Sequence, residues 1–141
     1  MPKYRCRKHK LLYEQGEKCP ECLSIKRKEY ENNRRDKERA RFYQSKDWRV
    51  MRQRVIDYYA GVDIWFLGIT GKLKPCPNIT VHHVYEYSKY PNLALAFSNL
   101  IPVSAQSHNE IHTYYDSNRF EEAVEIINTG KKRFEGLKHG H

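Results

Sequence analysis

The chain has 141 residues, of which 39% are hydrophobic, 13% aromatic and 30% charged, with a mean hydropathy of −0.90. This length suits one domain, or one small domain with an appendage, and the aromatic content argues against a disordered chain. No apolar run is long enough to cross a bilayer, and the basic start Met1-Pro2-Lys3-Tyr4-Arg5-Cys6 has no apolar stretch behind it, so neither a membrane protein nor a secreted disulfide scaffold is expected.

Lysine and arginine number 26 against 17 acidic residues, a net charge of +9. Up to Tyr59 there are 18 basic and 9 acidic residues; beyond it there are 8 of each. The asymmetry points to a polyanion-binding arm joined to a neutral body, although a basic helix that is merely well solvated has the same composition. The cysteines are at 6, 19, 22 and 76. A reducing, cytoplasmic location is expected, where clustered cysteines signal metal rather than disulfides.

Residues 1–23 are rich in Cys, His, Lys and turn formers and have little to bury, so they read as a small zinc-binding module. Residues 24–44 hold no Gly or Pro and read as a basic helical linker, with a possible break at Asn32-Asn33-Arg34-Arg35. Ser45 suits the N-cap of a helix carrying Trp48, Met51, Val55, Tyr58 and Tyr59 on one face, ending before Gly61. Val62–Ile69, an apolar run between glycines, reads as a buried strand, and Asn78–Val84 as a second strand. Ser88–Asn92 reads as a loop and Phe97–Val103 as a short apolar link. Ser104 or Ser107 caps a helix bearing His108 and His112, with Asn109 near its start. Phe120, Ala123, Val124 and Ile127 mark a last helix stopped by Gly130, and residues 131–141, with His139 and His141, form a polar tail.

Cys6-x2-His9, nine residues, then Cys19-x2-Cys22 presents four ligands in two hooks. Short gaps let a turn aim both side chains at one ion, and four protein ligands close a tetrahedral zinc shell, which makes the site structural. The competing readings are a surface His9 beside incidental thiols, or a different fourth ligand.

A second set is His82-His83, Asn99, His108 and His112. On a helix, His108 and His112 project from one face and can chelate one ion. Adjacent histidines on a strand point to opposite faces, so one of His82 and His83 can complete a three-histidine site while the other stays an imidazole base. A purely structural zinc held by His82, His108 and His112 is the alternative.

The pattern His-His, Asn, His-Asn-x-x-His resembles the HNH nucleases of the ββα-metal fold, in their colicin-type version. The helix Trp48-Arg49-Val50-Met51-Arg52 and the finger with its basic connector resemble phage-type members. The likeness is good over residues 45–113, loose over the first 44 and slight in the last helix. It implies an α+β fold: a ββα-metal core (nuclease domain 45–130) preceded by a helix and a zinc module, and followed by a helix. It implies that His83 is the general base, that His82, His108 and His112 hold one catalytic divalent metal, and that Asn99 fixes the loop bearing the base. Many members have Asp at the position of His82; three imidazoles suit zinc, nickel or manganese as well as magnesium. Many also have cysteines where Ser104 and Ser107 stand, so the finger is expected to hold the sole structural zinc, with Cys76 a spare buried thiol.

The function implied is metal-dependent hydrolysis of DNA, by nicking or double-strand cutting, leaving 5′-phosphate and 3′-hydroxyl ends. Phosphates would be held by basic side chains such as Arg34, Arg35, Arg39, Arg41, Arg49 and Arg52. Structured RNA as substrate, or a non-catalytic zinc-finger nucleic-acid-binding protein, are the other readings. The phage context implies a host-cell cytoplasm and packaging proteins as conceivable partners.

Overall fold

The computed structural model describes residues 3–139, and the chain divides into two units, Met1–Ser45 and Lys46–His141. Met1 and Pro2, and Gly140 and His141 of the expected tail, lie outside the described residues.

In the first unit, strands β1 (Lys3–Arg5) and β2 (Leu12–Glu14) pair antiparallel, with Tyr4 opposite Tyr13 and their rings stacked 5.9 Å apart. Lys10 turns the chain at a positive φ of 61°, and its N–H donates to the Cys6 carbonyl. Helix α1 (Pro20–Gln44) begins with Pro at its first turn, where the missing N–H costs nothing. It buries no residue, and Cys19, just before it, is the one buried side chain among the described residues of this unit. The break expected at Asn32–Arg35 is absent. Asparagine is only a mildly poor helix former, and Arg34 bridges Glu31 at 2.7 Å and Glu38 at 3.7 Å across that stretch. Ser45 donates its hydroxyl to the Phe42 carbonyl at 2.6 Å and so closes α1.

The second unit contains helix α2 (Lys46–Tyr58), helix α3 (Ile64–Thr70), strands β3 (Thr80–His83) and β4 (Leu100–Val103), helix α4 (Ala105–Asp116) and helix α5 (Phe120–His139). The protein is therefore mixed α+β, with two small antiparallel sheets. None of its described helices is long and apolar enough to cross a membrane.

The expected strand Val62–Ile69 is a helix. Short apolar runs between glycines suit a buried helix as well as a strand. Here Asp63 accepts from the Phe66 N–H as an N-cap, and Gly71, at φ 74°, ends the helix in the left-handed region. Ile64, Trp65 and Leu67 are all buried.

The link Phe97–Val103 contains strand β4, which pairs with β3 in the register Thr80↔Val103, Val81↔Pro102, His82↔Ile101 and His83↔Leu100. Pro102 disguised it; a two-stranded sheet tolerates proline on its open edge.

Gly130 does not stop α5. It is buried inside the helix because α3 crosses there: a Cβ at 130 would fall on the Ile64 backbone carbonyl and 3.0 Å from Ile64 Cγ2. Gly68 of α3 lies as close to Ile126. The supposed tail continues the helix to His139, and Phe134 joins Tyr58, Tyr59 and Phe97 in an aromatic cluster.

Alanine in place of glycine inside a helix normally stabilises by about 0.5–1 kcal/mol. Gly130→Ala should instead destabilise, by about 1–3 kcal/mol, because the methyl group has no room. Urea unfolding decides it, and a gain in midpoint would contradict the close crossing.

Candidate metal centres

Among the described residues, two groups of side chains could hold a metal ion: Cys6, His9, Cys19 and Cys22, and His82, His108 and His112. In the first, Cys6 and His9 stand in the reversal after β1, Cys19 precedes α1, and Cys22 lies in its first turn. His9 Nδ1 is 3.7 Å from Cys6 Sγ, 3.6 Å from Cys19 Sγ and 3.5 Å from Cys22 Sγ, and Cys6 and Cys22 are 3.7 Å apart. Zinc bonds sulfur at about 2.3 Å and imidazole nitrogen at about 2.0–2.1 Å, which puts tetrahedral neighbours about 3.5–3.8 Å apart. The donor set therefore fits zinc in kind and in spacing. The His9 backbone N–H holds the Cys6 thiol down to about 6, whereas hydrogen bonding to Cys6 pushes Cys22 up to about 11. Sulfurs this close resist losing both protons, and a dication is what reconciles them.

The second group is built on the β3–β4 pair and α4. Strand alternation sends His82 towards α4, with its ring 5.2 Å from that of His108 and 5.6 Å from that of His112. The two helix histidines, one turn apart, bring their Nε2 atoms to 3.1 Å, near the edge of about 3.3 Å expected of two imidazoles on one tetrahedral ion. The ligand atoms of all three lie within 4.8 Å of one another. Burial, then the neighbouring histidines, pushes His82 down to about 3; burial also lowers His108, with His112 adding to it. Neutral imidazoles are the form that binds metal, so these two ligands need shed no proton at neutral pH. Three nitrogens suit zinc, nickel or manganese better than magnesium.

His83 faces the other way. Its ring stacks on Trp48 of α2 at 5.0 Å and 20°, and its Nε2 lies 3.0 Å from the Ala94 carbonyl. A carbonyl only accepts, so Nε2 carries the proton and Nδ1 is the basic nitrogen. Burial lowers His83, and the Ala94 carbonyl opposes that shift.

Asn99 is buried immediately before β4. Its Oδ1 accepts from the Tyr85 N–H at 2.7 Å, and its Nδ2 donates to the Tyr85 and Leu93 carbonyls at 3.0 and 3.2 Å. It thus ties down both ends of the segment between His83 and Ala94.

Ser104 caps α4 by accepting from the Ser107 N–H. The Ser104 N–H and the Ser107 hydroxyl both donate to Asp63 Oδ2, at 3.1 and 2.5 Å. Asp63 is wholly buried and also caps α3, so one carboxyl joins the starts of two helices. Asn109, expected near the helix start, is exposed in the second turn of α4. Cys76 is half-exposed, not buried.

Of the arginines singled out, Arg35, Arg39 and Arg41 are exposed on α1 and Arg49 on α2. Arg34 is exposed but held by its two glutamates, and Arg52 donates to the Ile79 carbonyl at 3.3 Å. Sequence reasoning missed Asp63, Tyr115 and the Ala94 carbonyl. A lone acid opening an apolar run signals a cap, and Tyr115 continues the histidine face of α4 by three residues. Nothing in the sequence marks a particular carbonyl.

Comparison with family models, curated proteins and solved structures finds no match to this chain.

The two groups should load independently. Native mass spectrometry of the zinc-saturated chain should count two ions, falling to one in Cys19→Ser and to one in His108→Ala. Chelation should abolish the structure of residues 3–22, which have almost no core of their own, and leave the α-helical circular dichroism of the second unit largely intact.

Proposed function

We propose that the chain is a metal-dependent endonuclease of the HNH type that hydrolyses DNA phosphodiester bonds, with β3, β4 and α4 as its ββα-metal core. The observation that carries this reading is the division between adjacent histidines. His82 lies with His108 and His112 around one possible ion, while His83 is held on the opposite strand face with a defined tautomer. A ligand cluster alone would suit a structural zinc. A separately oriented imidazole beside it is what hydrolysis needs in addition.

His82, His108 and His112 would hold the divalent ion, leaving at least one coordination position open to substrate. Bound there, it supplies charge stabilisation at the phosphodiester and at the leaving 3′ oxygen. His83 takes the proton of the attacking water at Nδ1, while the Ala94 carbonyl keeps Nε2 protonated and the ring oriented. Burial keeps His83 neutral, the form a base must have. Asn99 holds the segment that presents Ala94. General-base catalysis of this kind contributes about 10²–10⁴ in rate.

The exposed Arg35, Arg39, Arg41 and Arg49 are suited to phosphates rather than to base edges, so binding should be insensitive to sequence and sensitive to salt. The finger is the structural zinc module in this reading.

One observation favours a second reading, a non-catalytic zinc-finger nucleic-acid-binding protein: His83 is only 6% exposed, and a base must meet water. A plasmid-nicking assay with added manganese, nickel, zinc or magnesium separates the two. Wild type should relax or linearise the plasmid. His83→Ala should lose about 10²-fold or more of that rate while it retains both ions and its affinity for DNA. A metal-loaded wild type that binds DNA and never breaks it would establish the second reading.

A further inference from the structure

Tyr115 lies on α4 three residues beyond His112 and seven beyond His108, half-buried against the strand pair. Its hydroxyl is 2.7 Å from the Val84 carbonyl and 3.1 Å from His82 Nε2. A phenol has one proton and a carbonyl can only accept, so that proton goes to Val84. The phenol oxygen then faces His82 as an acceptor, and His82 Nε2 must donate. The lone pair of His82 is left on Nδ1.

The helix histidines are ordered from the opposite direction. Their Nε2 atoms face one another at 3.1 Å, and His112 Nδ1 points towards the Glu86 carboxylate, 4.0 Å away. The nitrogens turned inwards are thus Nε2 of His108 and Nε2 of His112. Metal-bound histidines usually donate their other ring N–H to an oxygen, which fixes the tautomer and aims the ligand nitrogen.

We infer that Tyr115 is the positioning residue of the three-histidine centre, a relay from the Val84 carbonyl through the phenol to His82 that commits Nδ1 of His82, with Nε2 of His108 and His112, to the ion. The inference rests on the reading of these three histidines as a metal centre and goes beyond it, since it names the ligand atoms and the side chain that selects one of them. It also gives α4 a second task. The helix that supplies two ligands also orients the third, and because Val84 follows His83 directly, the same phenol anchors the strand end bearing the proposed base.

The test uses the full-length chain with its finger already loaded with zinc. Cobalt is titrated into wild type, Tyr115→Phe and His82→Ala, and thermal melts confirm folding. Tyr115→Phe keeps the ring and loses only the oxygen. It should weaken cobalt binding at the histidine centre about 10- to 100-fold, with finger occupancy unchanged. Equal affinity in wild type and Tyr115→Phe overturns the relay. A wild type that takes up no second ion, or a His82→Ala that binds as tightly as wild type, overturns the metal centre itself and the relay with it. A further measurement needs no variant: ring-nitrogen chemical shifts of His82 in the histidine centre without metal should show proton on Nε2 and none on Nδ1. The opposite tautomer overturns the assignment even if Tyr115→Phe fails to fold.

Discussion

Strand alternation is the constraint on which the second unit depends. Two consecutive residues on an extended strand must point to opposite faces, and the pairing of β3 with β4 holds His82 and His83 in that state. A slip of one residue would exchange them, turning His82 to Trp48 and His83 to the helix histidines. Burial opposes the slip: Val81, Leu100, Ile101 and Val103 are all covered, and each would change faces or partners with the register. Identical side chains therefore acquire different surroundings from a single geometrical rule. One sits among imidazoles, the other between an indole and a carbonyl.

The strand pair supplies one histidine to the cluster; the others depend on where α4 begins. Asp63 sets that start. Its carboxyl accepts from the Phe66 N–H of α3 and from two donors in the first turn of α4, so the helices share one cap. Each of those donors left unpaired in the interior would cost about 1–3 kcal/mol. Helix α3 is in turn fixed against α5 by contacts that only glycine permits, at Gly68 and Gly130. A chain of short, directional contacts thus runs from α5 through α3 and Asp63 to His108. The Ser104 N–H and the Ser107 hydroxyl, both bound to that carboxylate, secure the start of α4.

The local chemistry was legible in the sequence where spacing carries it. Cys6-x2-His9 with Cys19-x2-Cys22, and His108 with His112, predict the groupings that the structure brings together, because short spacings determine geometry before any tertiary packing does. The element boundaries were less legible where tertiary packing decides. Val62–Ile69 lacks a diagnostic period because it is buried nearly all round, and a capping aspartate rather than its hydropathy makes it a helix. Gly130 looked like a stop, yet Ala123, Ile127, Gly130 and Phe134 recur at helical steps, and the glycine belongs to that buried face. Pro102 hid a strand whose partner is distant in sequence. Asn99, by contrast, was singled out by its place in a motif; its three hydrogen bonds to Tyr85 and Leu93 depend on a loop path that no residue pattern encodes.

The two ligand groups belong to units stabilised in different ways, and that difference bears on what an ion would do in each. Among its described residues the first unit buries only Cys19, so its four candidate ligands would be both its site and its core, and a closed shell of four would leave no position for a reacting group. The second unit has a core of its own, with Val55, Ile64, Leu67, Leu100, Ile111 and Ile127 fully covered. At one end of that core three imidazoles from β3 and α4 are brought together, and burial lowers the pKa of His82 and His108. Burying imidazoles next to one another disfavours their charged forms, and without an ion one of the two helix histidines must donate its Nε2–H to the other. A cation bound by these three ligands would keep an open position, which is what the proposed hydrolysis requires.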